Sequence, residues 1–386
     1  MPNVMISCGE PSGDLYAGAL VRELRRLAPS ARVTGFGGDQ MREAGAELVG
    51  DFRGLTVTGL VEAVRVLPRS WQMYRRLLGE AARQAPDVFV AIDFPDFNLR
   101  VAAALRRRGV PVVYYVSPQI WAWRSGRLRT LKALVDEMLV IFPFEEAIYR
   151  RAGVPVTFVG HPLVDLARAR QNRHAFLSAI GLDPRAPTVA LLPGSRPNEL
   201  RRILPDLVRA AALVAARLPG AQFVLARAPH LDASLFAPLI SGGLRAAAVV
   251  ERQTDDVLAS ADVVLTASGT ATVQAALHGC PMVIVYRLAP LTYRLGKPFV
   301  RVDTYGMVNL VAGRRIMPEL IQDAFTPDAV AHEAIALLTD PARAAGARAD
   351  LKAVCERLGA PGASRRAAEA VLAVAAGMRT PGSRVD

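Results

Sequence analysis

The chain has few of the residues on which small cross-linked or metal-binding proteins depend. It contains three cysteines in 386 residues, and they lie far apart without metal-ligand spacing. A disulfide framework and a cysteine metal site are therefore not expected, and a reduced cytoplasmic protein is favoured. No apolar run approaches the roughly 18 residues of a membrane-spanning helix, and the first residues lack the features of a signal peptide.

Lysine is also scarce, so the net charge of +12 comes almost entirely from arginine. The arginines are scattered, and no platform of basic and aromatic residues indicates nucleic-acid binding. A basic surface of this kind fits contact with anionic lipid, and a merely solvated surface is the alternative. The sequence predicts no metal and no cofactor.

Short apolar segments alternate with helical stretches in two successive series. The strands are expected at residues 4–8, 33–36, 88–92, 112–116 and 138–141, and then at 189–192, 223–226, 248–250, 263–266 and 282–285. Apolar strands that alternate with helices indicate parallel sheets covered on both faces. The two series predict an α/β protein with two Rossmann-like domains facing a central cleft, spanning residues 1–167 and 168–345. Terminal helices are expected over residues 346–378.

The most informative segment is residues 265–274, in which a strand-like run breaks into small hydroxylated residues around one glycine. A helix-prone stretch follows it. Such a turn presents backbone N–H groups, hydroxyls and the positive end of a helix dipole to an anion. The expected anion is a nucleotide phosphate, and an ordinary turn capped by Ser or Thr is the alternative.

Ligands of open parallel sheets bind beyond the carboxyl ends of the strands, which selects the loops found there. In the first half these loops read Gly9-Glu-Pro-Ser-Gly-Asp14, Asp93-Phe-Pro-Asp-Phe-Asn98 and Ser117-Pro-Gln-Ile-Trp-Ala-Trp123. In the second half they read Pro193-Gly-Ser-Arg-Pro-Asn-Glu199 and residues 266–272. Glycines, hydroxyls, carboxylates and an arginine should therefore converge at one edge of each sheet.

Several residues of these loops have both a chemical and a structural interpretation. Asp93, at a strand end, suits a general base. Asp96 or Asn98 suits a cap for a helix starting near residue 99, and Asp96 also suits a brace for the loop. Arg196 suits a diphosphate leaving group, with an exposed surface arginine as the alternative. Asn309 suits an amide hydrogen bond to substrate, with a turn or helix cap as the alternative.

Three residues of the first half remain open in the same way. Ser12 and Asp14 suit either acceptor binding or capping of the next helix. His161 suits either a structural hinge or a ligand contact.

Together, eight motifs in order resemble one family, the lipid-A-disaccharide synthases, which are bacterial GT-B glycosyltransferases. The resemblance covers residues 4–372 and rests on Gly9-Glu-Pro-Ser-Gly-Asp14, Ile92-Asp-Phe-Pro-Asp-Phe-Asn98, Tyr115-Val-Ser-Pro-Gln-Ile-Trp-Ala-Trp-Arg124, Phe142-Pro-Phe-Glu145, Phe158-Val-Gly-His-Pro162, Leu191-Leu-Pro-Gly-Ser-Arg196, Ala267-Ser-Gly-Thr-Ala-Thr272 and Asn309-Leu-Val-Ala-Gly313. It implies a GT-B fold whose last helices cross back to the first domain. The domain at 1–167 would bind the acceptor, and the domain at 168–345 would bind the UDP-sugar.

The resemblance also implies a reaction. UDP-2,3-diacylglucosamine and 2,3-diacylglucosamine 1-phosphate would give a β(1→6)-linked disaccharide 1-phosphate and UDP, with inversion at the anomeric carbon. By resemblance, Asp93 is the base, and Arg196 and Asn309 are tied to activity. The nucleotide-sugar residues would be Gly194, Ser195, Ser268, Gly269, Thr270, Ala271, Thr272 and Gln274. The acceptor residues would be Glu10, Ser12, Gly13, Asp14, Ser117 and Trp121.

One residue departs from the family pattern. Gln274 stands where the family usually has a glutamate, which in GT-B enzymes commonly accepts hydrogen bonds from ribose hydroxyls. A glutamine carbonyl still accepts such bonds, without the strength that charge adds.

Residues 57–78 combine apolar side chains, including Trp71, with arginines such as Arg75 and Arg76. This composition suits an interfacial helix on the inner face of the cytoplasmic membrane, and a helix packed on the sheet is the alternative. A homodimer is left open. The alternative functions are another UDP-sugar enzyme, such as a UDP-N-acetylglucosamine transferase or 2-epimerase, and a catalytically silent nucleotide-responsive membrane protein.

Overall fold

The structure is a computed structural model that describes residues 1–52, 60–120, 126–229, 231–236, 247–289, 293 and 304–378, with the backbone alone at 60–66. The described residues divide into two compact units. Residues 1–162 and 358–378 form the first unit, and residues between 163 and 357 form the second. Trp121, an expected acceptor residue, lies outside the described residues.

The first unit contains seven strands: β1 (Asn3–Cys8), β2 (Arg32–Gly37), β3 (Glu47–Asp51), β4 (Val88–Ile92), β5 (Val112–Tyr115), β6 (Glu137–Val140) and β7 (Val156–Phe158). They form one parallel sheet in the order β3-β2-β1-β4-β5-β6-β7. The sequence predicts the five inner strands. It misses the two edge strands, because β3 is only half-buried, with a carboxylate at each end, and β7 has three residues.

Helices cover this sheet through amphipathic faces. The helix Pro11–Leu27 buries Tyr16, Leu20 and Leu24, which are spaced by four residues, and it packs against the helix Ala363–Ala375. The other described helices of the first unit are Asp39–Glu43, Leu60–Gln84, Pro95–Arg106, Arg127–Leu134 and Pro143–Arg151.

The second unit contains six strands: β8 (Thr188–Leu192), β9 (Gln222–Arg227), β10 (Ala247–Glu251), β11 (Val263–Ala267), β12 (Met282–Tyr286) and β13 (Glu319–Ile321). Their parallel sheet has the order β10-β9-β8-β11-β12-β13. The sequence predicts all of them except β13, which has three residues at the sheet edge.

The α-helices of the second unit, within the described residues, vary in length from 4 to 21 residues. They are Leu163–Leu166, Arg173–Ala179, Pro197–Arg217, Thr254–Ser260, Thr270–Leu277, Met307–Ala312, Pro327–Thr339 and Pro341–Arg357. Short 3-10 helices occur at Ala233–Phe236 and Gln322–Ala324. None of the helices in the described ranges is both long and apolar enough to span a bilayer.

Each sheet reverses its strand order once, and the predicted loops follow the strands at that point. β1 lies beside β4, with Cys8 level with Ile92, so residues 9–14 and 93–98 leave the sheet side by side. β8 lies beside β11, with Leu192 level with Thr266, so residues 193–196 and 267–272 do the same. In open parallel sheets this reversal is the usual ligand-binding position.

Candidate active site

The backbone at Asp93 is held in an unusual conformation at the reversal point of the first sheet. Asp93 and Phe94 have φ of 47° and 48°, which is the left-handed region that residues with a side chain rarely adopt. The Asp93 carbonyl oxygen accepts hydrogen bonds from the Tyr114 hydroxyl and from Asn98 Nδ2, both at 2.8 Å. Two buried donors therefore stabilise a strained turn, which is a common feature of catalytic loops.

Asn98 connects the two central strands beneath this turn. It is completely buried, and its amide nitrogen also donates to the carbonyl oxygens of Ser7 (3.1 Å) and Ile92 (3.2 Å). Its Oδ1 accepts from the Ser7 hydroxyl at 2.6 Å. The amide thus ties the end of β1 to the end of β4, where Asp93 begins.

The expected caps of this helix are wrong. The helix begins at Pro95 and not near residue 99, because the left-handed Phe94 already turns the chain into it. Asp96 is 73% exposed in its side chain and pairs with Arg127, while Asn98 lies inside the helix and bonds to the strands. The sequence predicts only a capping role for Asn98, because its burial and its bonds to β1 and β4 depend on tertiary packing.

The glycine-rich loop after β1 packs against the same turn. A Cβ on Gly9 would lie 2.2 Å from the Phe94 ring, so glycine is needed for the two loops to touch. Glu10 and Ser12 are half-buried at the start of the helix Pro11–Leu27, and Gly13 is buried. The loop therefore carries two half-buried polar side chains at the same edge of the sheet as Asp93.

Asp14 has its oxygens occupied within the fold. Its carboxylate accepts hydrogen bonds from the backbone N–H groups of Gly38 (2.8 Å), Gln40 (2.9 Å) and Met41 (3.1 Å). Burial raises the pKa of the Asp14 carboxyl, and the three N–H groups act against that rise. Asp14 therefore holds the loop after β2. Its carboxylate caps the helix Asp39–Glu43, and not the helix Pro11–Leu27 as expected.

Two further groups in the first unit are buried and neutral. Burial raises the pKa of the Tyr114 hydroxyl, and the Asp93 charge adds to this rise, so Tyr114 remains a donor to the Asp93 carbonyl. Burial lowers the pKa of His161 to about 3, and its ring meets Tyr16 edge-on and also contacts Phe142.

Ser117, an expected acceptor residue, is buried. Its hydroxyl donates to the Pro118 carbonyl and lies 2.6 Å from the Tyr149 hydroxyl.

In the second unit, the loop after β8 contains a glycine, Gly194, and a positively charged side chain, Arg196. Gly194 has φ of 120°, and a Cβ there would lie 2.9 Å from Glu199 Oε2. Arg196 Nη1 donates to Glu199 Oε1 at 2.8 Å, so the guanidinium is oriented at the N-terminus of the helix Pro197–Arg217. Ser195 precedes it. This arrangement places positive charge at a helix terminus that already favours anions.

The loop after β11 turns sharply at one glycine before the next helix begins. Gly269 has φ of 150° and ψ of −158°, a region open in practice only to glycine. Thr272 is buried, and its hydroxyl donates to the Gly269 carbonyl at 2.8 Å. Thr270 and Ala271, at the start of the helix, are half-buried. The Ser268 hydroxyl donates to the Tyr305 carbonyl at 2.9 Å.

Asn309 is buried and bonded at every polar position. Its Nδ2 donates to the Met317 carbonyl (2.9 Å) and to Glu319 Oε1 (2.6 Å), and its Oδ1 accepts from the N–H groups of Ile316 and Met317. Glu319 also accepts from the N–H groups of Tyr305 and Gly306, both at 2.9 Å. Asn309 therefore supports the segment that Ser268 contacts, and it does not offer an amide N–H to a ligand here. Sequence reasoning missed Glu319, which lies on the missed strand β13.

Gln274 lies one helical turn after Thr270. Its Nε2 donates to Asp255 Oδ1 at 2.7 Å, and His278 Nε2 lies 2.8 Å from the same oxygen. No sequence motif marks Asp255, because it belongs to another helix, Thr254–Ser260.

Comparison with known proteins matches the sequence of this chain to one family. The family model for lipid-A-disaccharide synthetase matches residues 4–374. A lipid-A-disaccharide synthase from Geobacter sulfurreducens is 45% identical over 372 residues, which cover 96% of this chain and 96% of the relative.

Solved structures agree on the fold. A UDP-GlcNAc 2-epimerase from Neisseria meningitidis, bound to UDP-GlcNAc, aligns with a TM-score of 0.70 at 12% identity, covering 96% of this chain and all of that one. The glycotransferase of kitacinnamycin aligns with a TM-score of 0.66 at 21% identity, covering 97% and 99%. The expected GT-B fold, with two parallel-sheet α/β units, is confirmed. The chain belongs to the lipid-A-disaccharide synthase family of glycosyltransferases.

Proposed function

We propose that the protein transfers 2,3-diacylglucosamine from UDP-2,3-diacylglucosamine to the 6-hydroxyl of 2,3-diacylglucosamine 1-phosphate. The products are the β(1→6)-linked disaccharide 1-phosphate and UDP, with inversion at the anomeric carbon. The observation that carries the proposal is the family match over residues 4–374, in a chain whose family motifs follow the strands at both sheet reversals.

Asp93 is the proposed general base. Its carboxylate takes the proton of the acceptor 6-hydroxyl while that oxygen attacks the anomeric carbon and the bond from this carbon to the UDP oxygen breaks. Proton transfer of this kind requires a carboxylate fixed within hydrogen-bond reach of the hydroxyl. The bonds from Asn98 and Tyr114 to the Asp93 carbonyl support this assignment, because they fix the backbone from which the carboxylate extends.

The leaving diphosphate is the proposed ligand of the two loops in the second unit. Backbone N–H groups come from Gly194, Ser195 and the helix start at Thr270. Arg196 turns part of its guanidinium from Glu199 to donate a hydrogen bond to a phosphate oxygen. Fixed positive dipoles stabilise the charge that develops as UDP leaves. This turn is shaped by Ser268, Gly269, Ala271 and Thr272. Gln274 Oε1 accepts a hydrogen bond from a ribose hydroxyl.

Asn309 remains a proposed activity residue, with its effect passing through other groups. Asn309 donates a hydrogen bond to Glu319, whose carboxylate accepts from the backbone N–H groups of Tyr305 and Gly306. The Tyr305 carbonyl in turn accepts a hydrogen bond from the Ser268 hydroxyl. On the acceptor side, the proposed contacts are Glu10, Ser12, Gly13, Ser117 and Trp121. Asp14 acts indirectly, because its carboxylate holds the neighbouring loop after β2.

The test incubates the full chain with both acylated sugars and measures disaccharide and UDP. Formation of both in equal amounts, with a β-linkage by NMR, is the expected result. UDP binding without any product would instead favour the catalytically silent nucleotide-responsive protein. Product from UDP-N-acetylglucosamine alone would favour another UDP-sugar enzyme.

We also propose that the protein attaches peripherally to the inner face of the cytoplasmic membrane. On the helix Leu60–Gln84, Met73 and Leu77 face the core, whereas Leu67 and Trp71 are 52% and 62% exposed. Arg75, one helical turn after Trp71, and the next residue Arg76 are both exposed. An exposed indole with adjacent arginines suits an anionic lipid surface.

Co-sedimentation with vesicles containing phosphatidylglycerol tests this attachment. We expect binding at low salt that weakens at high salt and falls at least about tenfold in Arg75→Glu/Arg76→Glu, since each arginine near the surface contributes about 1 kcal/mol. The double variant Arg185→Glu/Arg217→Glu makes the same charge change at exposed positions of the second unit and should bind as the unchanged protein does. Absence of binding at low salt would rule the attachment out.

A further inference from the structure

One face of the helix Thr270–Leu277 carries a row of polar side chains that ends in a half-buried contact between His278 and Asp255. Thr270, Gln274 and His278 are four residues apart and therefore lie on one side of the helix, about 6 Å apart along its axis. Asp255 reaches this row from a separate helix and contacts its second and third members.

The chemistry of these contacts fixes the orientation of the Gln274 amide. An ionised carboxylate only accepts hydrogen bonds, so Asp255 must face the Gln274 NH₂ group and not its carbonyl oxygen. For the same reason His278 must carry its proton on Nε2, where it lies 2.8 Å from Asp255 Oδ1. Both donors meet one oxygen, and the Gln274 Oε1 is left on the opposite side of the amide as an acceptor.

We propose that Asp255 is a positioning residue for nucleotide binding, which fixes Gln274 so that its carbonyl oxygen, and not its NH₂ group, is presented to the ribose. This inference rests on the proposed function. It also accounts for the neutral residue at position 274. A glutamate there would place two carboxylates in contact with each other, whereas glutamine donates to Asp255 and keeps one acceptor for the ligand. Gln274 and Asp255 thus form a matched pair.

The experiment compares two probes, UDP and 2′,3′-dideoxy-UDP, by calorimetric titration of the full chain. The unchanged protein should bind UDP more tightly, because only UDP offers ribose hydroxyls to Gln274. In Asp255→Asn the new side chain both donates and accepts, so the Gln274 amide is no longer held in one orientation. We expect UDP affinity to fall about 3- to 10-fold, in the range of one hydrogen bond, with dideoxy-UDP affinity nearly unchanged. The preference for UDP should therefore collapse.

Two further variants separate positioning from a general loss of structure. Asp328→Asn removes one carboxylate from an exposed position of the same unit and should leave both affinities unchanged. Gln274→Glu should weaken UDP binding by itself, and adding Asp255→Asn should restore it, because the Asn amide can donate to the new carboxylate.

The outcomes distinguish this inference from the function on which it rests. If the unchanged protein binds neither probe, the proposed nucleotide function fails and the inference fails with it. If UDP binds but Asp255→Asn weakens both probes equally, or neither, only the positioning by Asp255 is overturned. Failure of the double variant to recover UDP affinity would overturn the matched pair.

Discussion

The two sheets reverse their strand order at equivalent positions, yet the loops there are built from different residues. In the first unit, Asp93 and Phe94 keep side chains at positive φ, and buried donors hold them. In the second unit, Gly194 and Gly269 occupy the positive-φ positions. A general base needs a side chain at the strained position, whereas a phosphate site needs accessible N–H groups. The difference therefore follows the chemistry assigned to each loop.

The largest expected effect comes from removing the carboxylate at the strained position. Asp93→Asn keeps the size of the side chain and loses its ability to take a proton, so kcat should fall about 10²- to 10⁴-fold while UDP affinity stays nearly the same. Steady-state kinetics with both acylated sugars, together with calorimetric UDP titration, measure the two quantities.

Asp96→Asn is the matched control for this change. Asp96 is three residues away, exposed and paired with Arg127, so its neutralisation should leave kcat within about twofold, as expected for a surface ion pair. Near-normal turnover of Asp93→Asn would remove Asp93 as the base and with it the contrast between the two loops.

The second prediction tests whether the buried amide offsets the strain. Asn98→Ala removes the donor to three carbonyl oxygens and the acceptor of the Ser7 hydroxyl, so the free energy of unfolding should fall by about 3 kcal/mol. Because the Asp93 turn loses a donor, kcat should fall more than KM rises.

Asn172→Ala in the second unit provides the comparison. Asn172 caps the helix Arg173–Ala179 by accepting from the Ala175 N–H, so its loss should cost about 1 kcal/mol of stability with kcat unchanged. Equal effects of the two alanine variants on kcat would show that Asn98 does not position Asp93.

Much of the fold was predictable from the sequence, because the inner strands are continuous apolar runs. The five inner strands of the first sheet and five strands of the second follow from this pattern alone. Edge strands β3, β7 and β13 were missed since they are short or half-exposed, and only pairing with a neighbour defines them. Strand order likewise depends on tertiary pairing, which no local pattern encodes.

The site was predictable only as loops, and the supporting residues were not. Position after a strand selects Asp93, Arg196 and residues 268–272, because every parallel strand ends at the same sheet edge. Glu319 and Asp255 lie on other elements, 10 and 19 residues from the side chains they contact, so nothing in their immediate surroundings marks them. For Asn309 the sequence predicts the motif but not the contact, since its amide hydrogen-bonds within the protein.

The third prediction concerns the glycine loops of the second unit. A Cβ on Gly269 would have nothing within 4 Å, so Gly269→Ala should be resisted by backbone conformation alone. We expect the loop to shift, at a cost of about 1–3 kcal/mol, and UDP affinity to fall about tenfold. Calorimetric titration with UDP measures this loss.

Gly313→Ala separates loss of the phosphate site from the general cost of a positive φ. Gly313 ends the helix Met307–Ala312 at φ 72°, also with nothing near its Cβ, so alanine there should lower stability by about 1 kcal/mol and leave UDP affinity intact. If both alanine variants bind UDP normally, the Gly269 turn is not the phosphate site.

The last prediction contrasts the buried histidine of the first unit, His161, with exposed His174 of the second. The pKa of His161 is lowered from 6.5 to about 3, so the unfolded chain binds a proton that the folded chain excludes. Stability should therefore be unaffected above pH 6.5 and fall by up to about 1.4 kcal/mol per pH unit below it. His161→Phe should remove this slope in urea titrations between pH 6.5 and 4.5, whereas His174→Gln should keep it. Asp14, whose pKa is raised by burial, remains in both variants, so the difference between their slopes isolates His161.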